Sequence, residues 1–312
     1  MSGARIVFMG TGEIALPTFR WLAASETPPV ALVTQPDRPA GRRRELKPSV
    51  LKTMAVDAGM PVLQPEKARD PAFLDDLASL RPDLIIVMAY GQILPVRLIE
   101  LPPLGCVNLH ASLLPKYRGA ACIQAAIDAG DPETGITLMH VVRELDAGDV
   151  ILRHAIPITG QDTGGSLHDR LAGVARGVME EGLPMLLSGT APRTPQAALG
   201  EATKVPKLER DDGRIDWTWP AARIERRLRA YDPWPGCWSE TPDGRRLKIL
   251  GASPREEGGA SAGRLIETPE GPMVECGIGT LLLGEVQPEG SRKMAAADWW
   301  RGFRGQPPER LG

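Results

Sequence analysis

Leu84-Ile85-Ile86-Val87-Met88-Ala89 is an unbroken apolar run. A strand wet on one face alternates polar with apolar residues, so such a run is expected in the middle of a parallel sheet covered on both faces. Its surroundings alternate between strand and helix. Residues 5–9 and 30–34 read as strands, and residues 13–24 between them as a helix with Ile14, Leu16, Phe19 and Leu22 apolar. Residues 48–58 and 70–80 read as helices, Val62-Leu63 as a short strand and residues 105–109 as another buried strand. This alternation predicts the α/β class, as a Rossmann-like open, mostly parallel sheet whose ligands bind beyond the carboxyl ends of the strands.

Further on, residues 121–129 read as a helix, 134–141 and 150–152 as strands, and 163–187 as a long helix that Pro184 ends or kinks. Beyond Gly189 the apolar periodicity fades among Pro, Thr and Ala, which predicts a surface linker. A helix over 221–231 follows, with Ile224, Leu228 and Tyr231 on one face and Arg223, Arg226, Arg227 and Arg229 around the rest. Five strand-sized pieces come next, at 234–240, 246–251, 263–268, 271–275 and 280–286, and suit a small β-barrel of the OB type. At 312 residues two domains are expected. The boundaries are 1–189, a linker over 190–208, and an OB-like C-terminal domain over 209–312.

With 37 basic and 39 acidic residues the net charge is -2, so any polyanion must be gripped by local patches rather than by a global field. Cys106, Cys122, Cys237 and Cys276 lie far apart without a C-x-x-C, and the four histidines add no paired-ligand spacing; neither zinc nor a disulfide framework is expected. The chain opens on an apolar strand without a basic lead or cleavage site, and no apolar run reaches membrane-spanning length. A reducing, cytoplasmic setting without membrane contact is expected.

Three stretches carry chemistry. In Asn108-Leu109-His110 the two polar side chains are two apart on a strand, so both face one side at its end. A neutral carboxamide beside an imidazole suits an oxyanion formed by addition to a carbonyl; a capping Asn and a core His are the plain structural alternative. Leu145-Asp146-Ala147-Gly148-Asp149 is an acidic turn, and an Asp brought near His110 would favour its protonated form. The Pro- and Arg-rich stretch over 37–48 reads as a loop, either simply solvated or a phosphate grip through Arg42, Arg43, Arg44 and Lys47. Gly10-Thr11-Gly12 with Ala15 matches the G-x-G-x-x-A dinucleotide fingerprint. The second strand, however, runs into Gln35-Pro36-Asp37 without the acidic residue that a nicotinamide cofactor wants at its end.

Taken together, several motifs resemble the methionyl-tRNA formyltransferase family nearly end to end. They are Gln35-Pro36-Asp37-Arg38-Pro39-Ala40-Gly41-Arg42, Ala89-Tyr90-Gly91, Asn108-Leu109-His110-Ala111-Ser112-Leu113-Leu114-Pro115, Leu145-Asp146-Ala147-Gly148-Asp149, Ile215-Asp216-Trp217 and Pro233-Trp234-Pro235-Gly236. The Asn-x-His and Leu-Asp-x-Gly-Asp motifs mark folate-dependent formyltransferases in general; the basic loop and the C-terminal barrel point to tRNA as acceptor. Some positions depart from the pattern: Gly12-Glu13, Ala111, Cys122 where a Pro is usual, and Asp232. None removes a reacting group.

The resemblance implies transfer of a formyl group from 10-formyltetrahydrofolate, the co-substrate, to the α-amine of charged initiator tRNA, without a metal. It implies Asn108, His110 and Asp146 as the catalytic set, Ala89, Tyr90, Gly91, Ser112, Leu113, Leu114 and Pro115 as folate-binding, and Arg42 at the tRNA acceptor end. Arg43, Arg44, Lys47, Lys204 and Lys207 are expected to add phosphate contacts, and a monomer is expected. The readings that compete are a sugar-amine formyltransferase, a formyltetrahydrofolate hydrolase, a nicotinamide-dependent oxidoreductase and a non-catalytic RNA-binding protein.

Overall fold

The computed structural model describes residues 3–40, 45–259, 261–303 and 307–312. The chain divides into two compact units, the first comprising Met1–Cys122, Glu133–Pro157 and His168–Val205, the second Ile123–Pro132, Ile158–Leu167 and Pro206–Gly312.

From the N-terminus, β1 (Ile6–Gly10), α1 (Leu16–Ala23) and β2 (Ala31–Val33) are followed by the short antiparallel pair β3 (Arg38–Ala40) and β4 (Glu45–Lys47). Next come α2 (Val50–Asp57), β5 (Val62–Leu63), α3 (Pro71–Ser79), β6 (Leu84–Met88), α4 (Val96–Ile99) and β7 (Cys106–His110). Then come β8 (Arg118–Gly119), α5 (Cys122–Ala129), β9 (Glu133–His140), β10 (Val150–Pro157), α6 (Gly164–Leu187) and β11 (Lys204–Val205). Capping explains two helix starts: Ser49 accepts from the Lys52 amide ahead of α2, and Asp70 accepts from the Ala72 amide ahead of α3, with Pro71 in the first turn.

Seven strands form the sheet of the first unit in the order β10-β9-β7-β6-β1-β2-β5. The five from β7 to β5 are parallel to one another, while β9 runs antiparallel to β7 and β10 antiparallel to β9. β6 lies between β1 and β7 with all five residues buried, as its apolar run requires. One layer of the core packs Val7, Met9, Val33, Ile85 and Val87 against Phe73, Leu74 and Leu77 of α3. The fold is therefore α/β with a Rossmann-like, mostly parallel sheet.

The second unit holds α7 (Ala221–Ala230), β12 (Cys237–Glu240), β13 (Arg246–Arg255), β14 (Leu265–Thr268), β15 (Gly271–Glu275), β16 (Thr280–Pro288), β17 (Met294–Ala295) and α8 (Ala296–Arg301). Its antiparallel sheet runs β12-β13-β16-β15-β14, with β17 on β16. Among the described residues the end strands β12 and β14 do not pair with each other. The C-terminal tail links them: Leu265 donates to the Glu309 carbonyl (2.8 Å), Leu311 to that of Gly263 (2.9 Å), and Gly312 to that of Glu240 (3.0 Å). On α7 the arginines are engaged within the unit. Arg227 pairs with Asp128 at 2.9 Å, Arg229 with Glu225 at 2.6 Å, and Arg223 stacks 3.7 Å from the centre of Trp219.

Three local expectations change. The stretch over 37–48 is not wholly a loop, because its two arms pair as β3 and β4 with Arg38 opposite Lys47; Arg42, Arg43 and Arg44 lie outside the described residues. Pro184 does not end α6, which runs on to Leu187, since the Pro184 carbonyl still accepts from Ser188 and continues the ladder beyond it. The segment expected as a surface linker is tied down in its first part. Val150 and Thr194 exchange two backbone hydrogen bonds, residues 196–198 form a short 3-10 turn, and β11 pairs with β8. Backbone groups along this path find partners on the first unit instead of water.

Candidate active site

β7 carries Asn108 and His110 between β6 and β9, with Asn108 opposite Val87 and Met139 and His110 opposite Thr137. The carboxyl ends of β1, β6 and β7 lead into Thr11-Gly12, Ala89-Tyr90-Gly91 and Ala111 to Pro115 respectively. Among the described residues, three of the four non-glycine positions with positive φ lie in or beside these loops: Ala89 (50°), Tyr117 (61°) and Asp146 (51°). L-residues rarely adopt that conformation, and such positions gather at functional sites.

His110 is 7% exposed. Its Nε2 donates to the Tyr117 carbonyl at 2.9 Å, and its Nδ1 lies 3.7 Å from Oδ2 of Asp146. That separation is too long for a hydrogen bond and short enough for a strong charge interaction in a buried setting. Burial works against the imidazolium, but the sulfur of Cys122, which bonds the ring, the Asp146 carboxylate and the Tyr117 carbonyl outweigh it and raise the pKa to about 9. The balance of these contacts favours the protonated form of His110. The half-buried carboxamide of Asn108 makes no side-chain hydrogen bond among the described residues, which leaves its N–H groups free to donate.

Asp146 is held from several directions. Its Oδ2 accepts from the Gly119 amide at 2.9 Å, and its carbonyl accepts from Nε2 of Gln196 at 2.8 Å. Gly148 closes the turn against β9, where a Cβ would fall inside the van der Waals envelope of the His140 carbonyl oxygen. The structure brings His110 and Asp146, from a strand and a distant turn, within 3.7 Å of each other, and Asn108 stands two residues before His110 on β7.

In the loop after β7 the hydroxyl of Thr137 donates to the Ser112 carbonyl (2.6 Å) and accepts from the Leu114 amide (3.1 Å), and Arg153 donates to the Leu114 carbonyl (3.1 Å). Ser112 is fully buried with its hydroxyl on the Lys116 carbonyl, and Leu114 packs with Met139 and Val150. Pro115 is buried as well, and Leu113 is half-buried. Ala89 and Gly91 are exposed. The Tyr90 ring is buried in the core behind them, and burial pushes its hydroxyl up to about 12. The Tyr90 carbonyl accepts from Nε2 of Gln35 at 2.7 Å, whose head fills the space that a Cβ on Gly91 (φ 81°) would need.

The G-x-G turn has a structural role. The Thr11 and Gly12 amides, which in a dinucleotide site would face pyrophosphate, both donate to the Ala89 carbonyl at 3.2 Å. Lys47, Lys204 and Lys207 are exposed, and Lys204 lies 3.6 Å from Glu144. Nothing in the sequence pattern singled out Tyr117, Thr137 or Gln196. Cys122 had a signal, its departure from the usual Pro, and Gln35 stood in a recognised motif without a role. All four cysteines are free and buried, and the described residues contain no cluster able to hold a metal ion.

Residues 4–183 match the family model described as formyl transferase, and residues 207–304 the model for the formyl transferase C-terminal domain. A methionyl-tRNA formyltransferase of Akkermansia muciniphila is 50% identical over 93% of this chain and 94% of its own length. One from Myxococcus xanthus is 46% identical over 98% and 97%, and one from Geobacter sulfurreducens 42% identical over 100% and 98%. Among solved structures, WlaRD, a sugar 3N-formyl transferase, superposes with a TM-score of 0.67 at 16% identity, covering 93% of this chain and 99% of its own. HypX from Aquifex aeolicus in complex with tetrahydrofolic acid gives 0.61 at 20% identity, covering 99% and 49%. At these identities the structural matches speak for the fold.

Proposed function

The chain belongs to the formyl transferase family, and from that premise we infer that it moves a formyl group from 10-formyltetrahydrofolate to the α-amine of methionine carried by initiator tRNA. The observation that carries the choice of acceptor is the match along both halves of the chain to methionyl-tRNA formyltransferases at 42% to 50% identity. Such an acceptor sets the protein in the cytoplasm, where translation starts. The oxidoreductase reading loses its footing because the amides of its fingerprint are used internally.

The residues present suit a folate. The exposed residues Ala89 and Gly91 offer an edge to a flat heterocycle, and the unengaged Asn108 carboxamide stands on the neighbouring strand β7. As the amine adds to the formyl carbon, negative charge gathers on the formyl oxygen. Asn108 donates to that oxygen, and the His110 cation stabilises the charge from its fixed place against Tyr117. Asp146 keeps His110 protonated and takes the proton that the amine sheds, directly or through water. The carbon–nitrogen bond to folate then breaks and the folate nitrogen picks up a proton, so one proton passes from amine to folate overall. The exposed Lys47, Lys204 and Lys207, together with Arg42, Arg43 and Arg44, grip tRNA phosphates.

The test supplies purified protein and formyl donor with three acceptors in parallel: methionyl initiator tRNA, a nucleotide-linked amino sugar, and water alone. Formyl transfer to the tRNA far ahead of the other two is expected. Equal or faster transfer to the sugar or to water would replace this reading with one of its rivals.

A further inference from the structure

We propose that Gln196, in the stretch between the two family-matched regions, is a positioning residue for Asp146, so that part of the apparent linker belongs to the active site. The inference rests on the formyl transfer reading above. The Gln196 side chain is 3% exposed, and its head group is fully used. Nε2 donates to the carbonyls of Asp146 (2.8 Å) and Gly148 (2.9 Å), while Oε1 accepts from Nε of Arg118 at 3.0 Å.

These bonds close a loop around the reacting groups. Arg118 follows Tyr117, whose carbonyl holds Nε2 of His110, and precedes Gly119, whose amide holds Oδ2 of Asp146. Gln196 therefore ties the wall that fixes the imidazole to the turn that fixes the carboxylate. Asp146 has φ 51°, a conformation that an L-residue keeps only under outside support, and the two carbonyl bonds supply it on either side of Ala147. A group with two donors and one acceptor is needed, and a carboxamide is the side chain that offers both in one plane.

The test is a double-mutant cycle of Gln196→Met with Asp146→Asn, read by single-turnover formylation of methionyl initiator tRNA alongside KM for folate and for tRNA. Gln196→Met keeps the length of the side chain and removes all three bonds. With Asp146 displaced, turnover is expected to fall by about 100-fold while both KM values stay within about twofold. On the Asp146→Asn background the same change is expected to cost less than about threefold, because the group it positions is already gone. Unchanged turnover in Gln196→Met, or a full additional loss on the Asp146→Asn background, would overturn the proposal. If Gln196→Met does not fold, Gln196→Glu serves the same cycle, since it keeps the acceptor for Arg118 and removes the donors to the turn. Failure of the parent reading looks different: the unaltered protein would then not formylate methionyl initiator tRNA ahead of the amino sugar and water.

Discussion

In the proposed mechanism Asn108 and His110 divide the work of holding negative charge, one as an uncharged donor and one as a cation. Because Asn108 has no competing partner among the described residues, Asn108→Ala is expected to remove stabilisation of the reacting oxygen alone. A loss of about 100- to 1000-fold in kcat with little change in folate KM is expected from steady-state kinetics. For His110 the pKa of about 9 sets the pH dependence, and the sign follows from the protonated form being the active one. Activity is expected to rise as the α-amine deprotonates near about 8 and to be lost as pH rises further through about 9. Asp146→Asn deletes a charge that raises the His110 pKa, so the alkaline limb should move to lower pH in a kcat profile. A limb that stays in place would mean that Asp146 acts on something other than His110. Spacing alone made Asn108 and His110 legible, since strand geometry fixes what lies two residues apart. Gln196 was not legible, because a carboxamide that bonds two carbonyls across 50 and 48 positions leaves no periodic trace.

The elements around the site are matched to each other with little slack, most clearly where the 145–149 turn meets β9. The Gly148 contact with the His140 carbonyl leaves no volume for a methyl group, so Gly148→Ala must push the turn outward. Overpacking of this kind costs about 1 to 3 kcal/mol, and a carboxylate moved by an ångström costs about 100-fold in rate. The variant should therefore melt somewhat lower and lose much more turnover than folate affinity, as calorimetry and kinetics on the same sample would report. Equal turnover in Gly148→Ala would show that the turn tolerates displacement. At this scale the strongly patterned elements were readable: the apolar run of β6 and the apolar stripe of α7 are consequences of burial. The β3–β4 pairing was hidden, because two three-residue arms flanking a basic, proline-bracketed stretch carry almost no hydrophobic signal. The pairing of β11 with β8 was hidden for the same reason, being only two residues long.

A chain with a net charge of -2 that must hold a polyanion has to attract it locally, and this has a measurable consequence for its two substrates. The candidate cations are Arg42, Arg43, Arg44, Lys47, Lys204 and Lys207, whereas the arginines of α7 are spent within their own unit on Asp128, Glu225 and Trp219. If those six cations each displace a counterion, tRNA affinity should fall by roughly 1000-fold between about 50 and 200 mM salt. On the proposed folate site, formed by neutral groups at Ala89, Gly91 and Asn108, the affinity of a folate analogue should change several-fold at most over the same range. Replacing Arg42, Arg43 and Arg44 together by Ala should reduce the magnitude of the tRNA salt slope by about 1 for each phosphate no longer held and leave the folate titration untouched. Fluorescence titrations of both ligands across the salt series measure this directly. An unchanged slope in the triple variant would move the grip away from the basic loop, and a parallel drop in folate affinity would mean that the loop shapes the catalytic site as well as the tRNA grip.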